Sequence, residues 1–187
     1  MEKLILASAS PRRAQLLAQI GLKFLVVKSD FLETEVCCEG DVESMALGKA
    51  RRVARDFPGR FVLGADTAVF CGEKVLGKPG DSGEAVEMLK SLSGRVHSVV
   101  TGFALIKDNR EITGREKTFV KMCSLGDEEI AAYVSSGEPM DKAGAYGIQG
   151  RGAIFVESIE GCFFNVVGLP LARLALVLKL EGFPIWG

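Results

Sequence analysis

One histidine, no Cys-x-x-Cys pair, no lysine- or arginine-rich tract and no bilayer-length apolar run narrow the field at once. His97 has no second histidine to join it in a metal site, so it reads first as a structural residue of a strand. The five cysteines, Cys37, Cys38, Cys71, Cys123 and Cys162, are odd in number and lack metal-ligand spacing. Reduced thiols in the cytoplasm are the simplest reading. A formal net charge of −1, from 23 basic and 24 acidic residues, argues against a bulk nucleic-acid binder. Any anionic ligand must therefore be held by a few placed cations. The longest apolar stretch, residues 166–180, is broken by Pro170, Arg173 and Lys179 and is too short to span a membrane. After Met1-Glu2-Lys3 the chain runs straight into a strand, so no secretory signal is expected. No repeat, low-complexity tract or linker interrupts residues 1–187, which read as a single, two-lobed domain of a soluble cytoplasmic protein.

What the chain does contain is ordinary globular material: 187 residues, 48% hydrophobic and 25% charged, with 22 glycines that imply many tight loops. Its most informative stretch is Leu4-Ile5-Leu6-Ala7-Ser8-Ala9-Ser10-Pro11-Arg12-Arg13. It predicts a buried strand, a small-residue loop, and a helix with Ser10 at the N-cap and Pro11 at the first helical position. Leu16, Leu17 and Ile20 would face inward and Gly21 would end the helix. Arg12 and Arg13 in the first turn oppose the helix dipole. That placement makes sense beside a bound anion, where backbone N–H groups, hydroxyls and guanidinium groups converge. The competing reading is a solvated arginine pair next to an ordinary cap.

Downstream, residues 24–27 read as a strand and 29–40 as a polar, acidic segment carrying Glu33 and Glu35. A helix capped by Asp41 buries Val42, Met45, Ala46, Ala50 and Val53. Lys49 falls on or beside that apolar face, where it either snorkels to solvent or meets a ligand. Residues 61–65 form a second buried strand that delivers Asp66 and Thr67 at its carboxyl end, a common catalytic position in α/β folds. A hairpin over residues 69–76 leads to Gly77-Lys78-Pro79-Gly80. Another helix starts near Asp81, two strands cover residues 96–106 and 117–123, and a helix follows Asp127. Residues 141–152, with four glycines, form a folded loop that closely approaches something else. Residues 154–156 and 162–164 suggest a hairpin, and Pro170 opens the last helix. Strands and helices alternate first and hairpins follow, which argues for a mixed, twisted α/β sheet with flanking helices.

The ordered set of motifs resembles the Maf family of nucleoside triphosphate pyrophosphatases. The motifs are residues 4–13, Lys49-Ala50, Gly64-Ala65-Asp66-Thr67, Gly77-Lys78-Pro79, Asp141-Lys142-Ala143-Gly144-Ala145-Tyr146-Gly147-Ile148-Gln149-Gly150 and Asn165-Val166-Val167-Gly168-Leu169-Pro170. The resemblance implies a two-lobed, inosine-triphosphatase-like α/β fold with a central cleft. It implies hydrolysis of a nucleoside triphosphate to the monophosphate and pyrophosphate, with a divalent cation, Mg²⁺ or Mn²⁺, as cofactor. By position, Asp66 matches the catalytic aspartate; Ser8, Arg13, Lys49 and Lys78 match substrate-binding residues; Glu33 and Asp66 match the metal site. Arg12, Thr67 and Gln149 look like the subgroup acting on dTTP and UTP, where the 7-methyl-GTP subgroup typically carries Trp, Gln and Glu. Two departures are Leu32, where the family often has Asp, and Cys162-Phe163-Phe164, where Asp-Tyr is common. The expected partner is a nucleotide, with no nucleic acid and no membrane. Phe163, Phe164 and Trp186 are either homodimer contacts or plain packing. Two alternatives stand beside this reading: a 7-methyl-GTP pyrophosphatase, and a nucleotide-binding regulator of septum formation with little catalysis.

Overall fold

The computed structural model describes residues 3–185; Trp186 lies outside the described residues. In chain order the regular elements are β1 (Leu4–Leu6), α1 (Pro11–Gln19), β2 (Phe24–Val26), α2 (Asp41–Ala54), β3 (Val62–Cys71), β4 (Lys74–Leu76) and α3 (Ser82–Leu92). Then come β5 (Val96–Lys107), β6 (Arg110–Met122), α4 (Asp127–Ser135), β7 (Val156–Glu160), α5 (Phe163–Val167) and α6 (Leu171–Leu180). Short 3₁₀ turns occupy Glu138–Asp141, Ala143–Ala145 and Arg151–Phe155. The strands hydrogen-bond in the order β2-β1-β3-β5-β6-β7, with β4 on β3. Strand β1 is parallel to β2 and β3, whereas β4 and β7 run antiparallel to β3 and β6. The sheet is therefore mixed, as the element order predicts.

The chain divides into two compact units, and β3, β5 and β6 each contribute residues to both. The first unit comprises Met1–Asp66, Thr101–Glu116 and Gly168–Gly187. One part of its core joins Ile5, Val62, Ala104 and Ile106 of the strands to Ala46, Ala50 and Val53 of α2. The alanines are there because α2 lies almost on the sheet. A Cβ at Gly64 would stand 2.2 Å from the Ala46 carbonyl oxygen, and one at Gly102 would stand 2.5 Å from the Val42 carbonyl group. Only glycine permits that approach, and it brings the α2 face bearing Lys49 down onto β3.

The second unit comprises Thr67–Val100 and Lys117–Val167. Its core joins Met88, Leu89 and Leu92 of α3, Ile130, Tyr133 and Val134 of α4, and Val69, Val99, Val120 and Met122 of the strands. The loop residues Ala145, Tyr146 and Phe155 complete it. Asp81 caps α3 by accepting the Glu84 N–H at 2.8 Å, as a residue before an apolar-periodic run should.

The structure corrects several local expectations. The strand of residues 61–65 does not end at Asp66; β3 runs on through Cys71, so Asp66 sits mid-strand. The continuation is the hairpin arm that pairs with β4, and no turn residue separates the two stretches. Strand β6 begins at Arg110, directly after a two-residue turn in which Asp108 takes φ 53°. The hairpin expected over residues 154–164 does not form. Residues 151–155 coil as a 3₁₀ turn, β7 pairs with β6, and residues 163–167 are helical. Asn165 explains the last change: its buried amide donates to the Val99 carbonyl and the Thr118 hydroxyl, both at 2.9 Å. A polar anchor of this kind overrides the strand propensity of Phe163 and Phe164.

Candidate active site

Within the first unit, α2 sets the central feature. Lys49 lies on the buried face of this helix, one turn from Met45 and beside Ala46 and Ala50, and is 9% exposed. Its ammonium reaches Asp66 Oδ1 at 2.6 Å and Glu33 Oε1 at 2.8 Å. The ammonium neither snorkels to solvent nor, in this structure, meets a ligand: it is paired with carboxylates of the chain itself. Burying an unpaired ammonium would be costly, and two carboxylates compensate this one. Asp66 is largely covered and Glu33 is 60% exposed, so the trio grades from interior to solvent.

Glu33 stands on a segment without regular structure, yet the segment is tied to α2 at several points. The Ser29 hydroxyl donates to the Lys49 carbonyl and accepts the Phe31 N–H. The Phe31 ring covers Gly48, where a Cβ would come within 2.3 Å of it. Arg52 pairs with Asp30 at 2.7 Å, and Asp41 accepts the N–H groups of Cys37 and Cys38 at 2.8 Å each.

The loop after β1 and the start of α1 form a second part of this unit. Ser10 is the N-cap residue and Pro11 is first in the helix, although the Ser10 side chain makes no capping bond. Arg13, 8% exposed, donates from Nε to the Gly168 carbonyl at 2.9 Å. Its Nη1 donates to Ser8 Oγ at 3.0 Å and to the Ala65 carbonyl at 2.8 Å. Three chain segments meet on one guanidinium, and one of the anchored carbonyls belongs to the residue before Asp66. Burial lowers the Arg13 pKa, Asp66 opposes the shift, and neighbouring Arg12 adds to it. An arginine keeps its proton even so. The Ser8 hydroxyl is fixed further by the Ser10 N–H at 3.3 Å.

The second unit carries Thr67, Lys78 and Gln149. Thr67 follows Asp66 on β3 and is half-buried; Lys78 and Gln149 are exposed on loops. Those two loops are joined by one backbone bond, Gly144 N–H to the Gly77 carbonyl at 3.0 Å. Tyr146 is buried against His97, hydroxyl to Nε2 at 2.8 Å, with the rings edge-to-face. Desolvation pushes the His97 pKa down to about 4, so the imidazole is neutral near pH 7. His97 is thus a core residue, the role that leads from the sequence.

The chain matches the family described as Maf-like protein over residues 3–181. The chain belongs to the Maf family. It is 50% identical to the dTTP/UTP pyrophosphatase of Symbiobacterium thermophilum, over 100% of this chain and 97% of that protein. It is 52% identical to the protein of the same name from Acetivibrio thermocellus, over 99% of this chain and 98% of that one. A Moorella thermoacetica relative, also named dTTP/UTP pyrophosphatase, is 49% identical over 100% and 99%. Among solved structures, the Staphylococcus aureus Ham1 protein aligns with a TM-score of 0.56 at 15% identity, over 96% of this chain and 100% of that one. That likeness supports the fold class alone.

For this Maf chain the structure joins Ser8 to Arg13, and Glu33 and Asp66 to Lys49. Arg12, half-buried, lies in the first turn of α1 beside Arg13. Sequence reasoning missed Phe31, whose ring packs the Glu33 segment onto α2, and the Tyr133–Glu138 pair, which bonds to the glycine loop from α4 and the turn after it. Among the described residues no group of three or more His, Cys, Asp or Glu gathers as a metal site. Two carboxylates on a shared ammonium are nevertheless the hard oxygen donors that Mg²⁺ or Mn²⁺ prefers, and Mg²⁺ commonly takes its other ligands from substrate phosphates and water.

Proposed function

We propose that this Maf chain hydrolyses dTTP and UTP to the monophosphate and pyrophosphate, the whole chain acting as one catalytic domain in the cytoplasm. The observation that carries the reading is the Asp66–Lys49–Glu33 trio, present in a chain about half identical, end to end, to proteins named for that activity. No helix among the described residues is long and apolar enough to cross a membrane.

In the proposed reaction a water attacks the α-phosphorus. A new P–O bond forms, the bridging bond to the β-phosphate breaks, and pyrophosphate leaves with its electron pair. Asp66 orients the water and accepts its proton. Lys49, in contact with Asp66, keeps that carboxylate in one place and supplies positive charge near the developing negative charge. Ser8, Lys49 and Lys78 bind the triphosphate. Arg13 lends its charge to that region while Nε and Nη1 brace Ser8 and the backbone before Asp66. Glu33 and Asp66 would hold the divalent cation, which when bound neutralises phosphate charge and makes water more acidic. Gln149 offers the amide donor and acceptor that match a uracil or thymine edge, and Arg12 and Thr67 are the other two residues assigned to base preference.

Pyrophosphate release from dTTP, UTP, CTP, GTP, 7-methyl-GTP and ATP, with Mg²⁺ or Mn²⁺ and with chelator, tests the proposal. Turnover concentrated on dTTP and UTP, lost with chelator, is expected. Preference for 7-methyl-GTP would overturn the base assignment; no turnover by folded protein would overturn the activity.

A further inference from the structure

We propose that Tyr133 and Glu138 are positioning residues that set base specificity by fixing the loop on both sides of Gln149. The inference rests on the reading of Gln149 as the base-recognising residue. Tyr133 comes from α4, is 4% exposed, and packs edge-to-face on Phe155 at 5.0 Å. Its hydroxyl donates to Glu138 Oε1 at 3.0 Å and accepts the Gly147 N–H at 3.1 Å. The Glu138 carboxylate also accepts the N–H of Arg151 at 3.0 Å and of Gly152 at 3.2 Å. Gln149 therefore lies between a bonded amide two residues before it and two bonded amides that begin two residues after it, while remaining exposed itself.

The glycines show how closely the loop wraps this pair. A Cβ at Gly150 would lie 2.4 Å from Glu138 Oε1, and one at Gly152 would lie 2.8 Å from the Tyr133 hydroxyl. A Cβ at Gly147 would lie 2.6 Å from the Lys142 side chain, whose ammonium is bonded to the Glu138 carbonyl at 2.5 Å. A loop of this composition has many conformations in isolation. The buried tyrosine and the carboxylate select one, and the glycines are what let the backbone reach them.

Specificity follows from the selection. Uracil and thymine present a carbonyl and an N–H where cytosine presents an amino group and a bare ring nitrogen. An amide can rotate to match either pattern, provided the backbone that carries it can shift to follow. Fixing the backbone confines Gln149 to one geometry, so discrimination is a property of the clamp as well as of the amide.

The test compares kcat/KM for UTP and CTP in the full-length protein and in Tyr133→Phe, which keeps the ring and removes only the hydroxyl. The expected result is a fall of about tenfold in the UTP:CTP ratio, the worth of one well-placed hydrogen bond. Glu138→Ala should lose the ratio similarly, and Glu138→Gln, which retains an acceptor oxygen, should keep most of it. A purely structural role predicts equal losses on both nucleotides, and that outcome would overturn the proposal. Amide hydrogen exchange is a second readout, independent of turnover. Gly147, Arg151 and Gly152 should exchange slowly in the wild type and faster in Tyr133→Phe; rapid exchange in the wild type would sink the clamp. Wild-type protein inactive on dTTP and UTP would instead remove the functional reading beneath it.

Discussion

Two carboxylates in this molecule are held in opposite ways. Asp66 is met by an ammonium, with Lys49 Nζ at 2.6 Å from Oδ1. Glu138 is met by two backbone N–H groups and a phenol. Burial works against the charge on Glu138, yet those donors and the nearby Lys142 outweigh it and keep its carboxyl below the usual range. A cation on a flexible stem leaves a carboxylate able to exchange partners when a substrate arrives. Donors drawn from the carboxylate's own loop make it part of the loop's architecture. In the proposed reaction the first carboxylate serves chemistry, and in the proposed clamp the second serves shape.

The same isosteric change, carboxylate to amide, separates the two roles. Asp66→Asn should lower kcat at least about a thousandfold, on the order of 4 kcal/mol in the barrier, with the fold retained by circular dichroism. Retention of most activity would show that another group takes the proton.

The next effect concerns the brace behind Asp66. Arg13→Met removes bonds to two carbonyls and the Ser8 hydroxyl and should destabilise the protein by about 3 kcal/mol in urea unfolding. Arg13→Lys keeps the charge without the planar fork and should recover only part of the loss. Equal stability of all three forms would mean the guanidinium is not a structural strut.

A smaller effect tests the second unit through its buried histidine. The His97 pKa is lowered from 6.5 to about 4 in the folded state, so the unfolded chain takes up a proton first as pH falls. The stabilisation is complete above the unfolded pKa and is lost between about pH 6.5 and 4. Between pH 7 and pH 5 this group alone should cost about 2 kcal/mol of stability, at 1.36 kcal/mol per unit. Denaturant midpoints measured across that range, with His97→Gln as the flatter control, check it.

The smallest effect closes the comparison. Glu138→Gln should lower kcat on UTP by less than about threefold, because the amide still offers an oxygen to the loop. A loss comparable to that of Asp66→Asn would mean Glu138 takes part in the chemistry.

Much of this was readable along the chain. The Ser10-Pro11 helix start, the helix beginning near Asp81, the α2 periodicity with Lys49 on the inner face and the mixed sheet all follow from rules reaching a few residues. Asp41, however, read as the α2 cap, is the first residue of that helix after Gly40. The misreadings share one cause. Residues 162–164 look like a strand until Asn165 finds the Val99 carbonyl and the Thr118 hydroxyl, 66 and 47 residues away in sequence. Asp66 looked terminal because the apolar run ends at Ala65, whereas β3 continues as one strand to Cys71.

The order of residues was sufficient for which chemistry is present: cations, carboxylates and a glutamine at motif spacing, on elements whose type is set by periodicity and capping. It was also enough for membership of the Maf family, because motif identity needs no contact map. The partners of those residues required the folded chain. That Lys49 meets both Asp66 and Glu33, that Arg13 holds Ala65 and Gly168 across 52 and 155 residues, and that Glu138 organises the loop around Gln149 are long-range pairings. They are decided by which buried charges and N–H groups can find one another once the core has closed, and no local pattern encodes that choice.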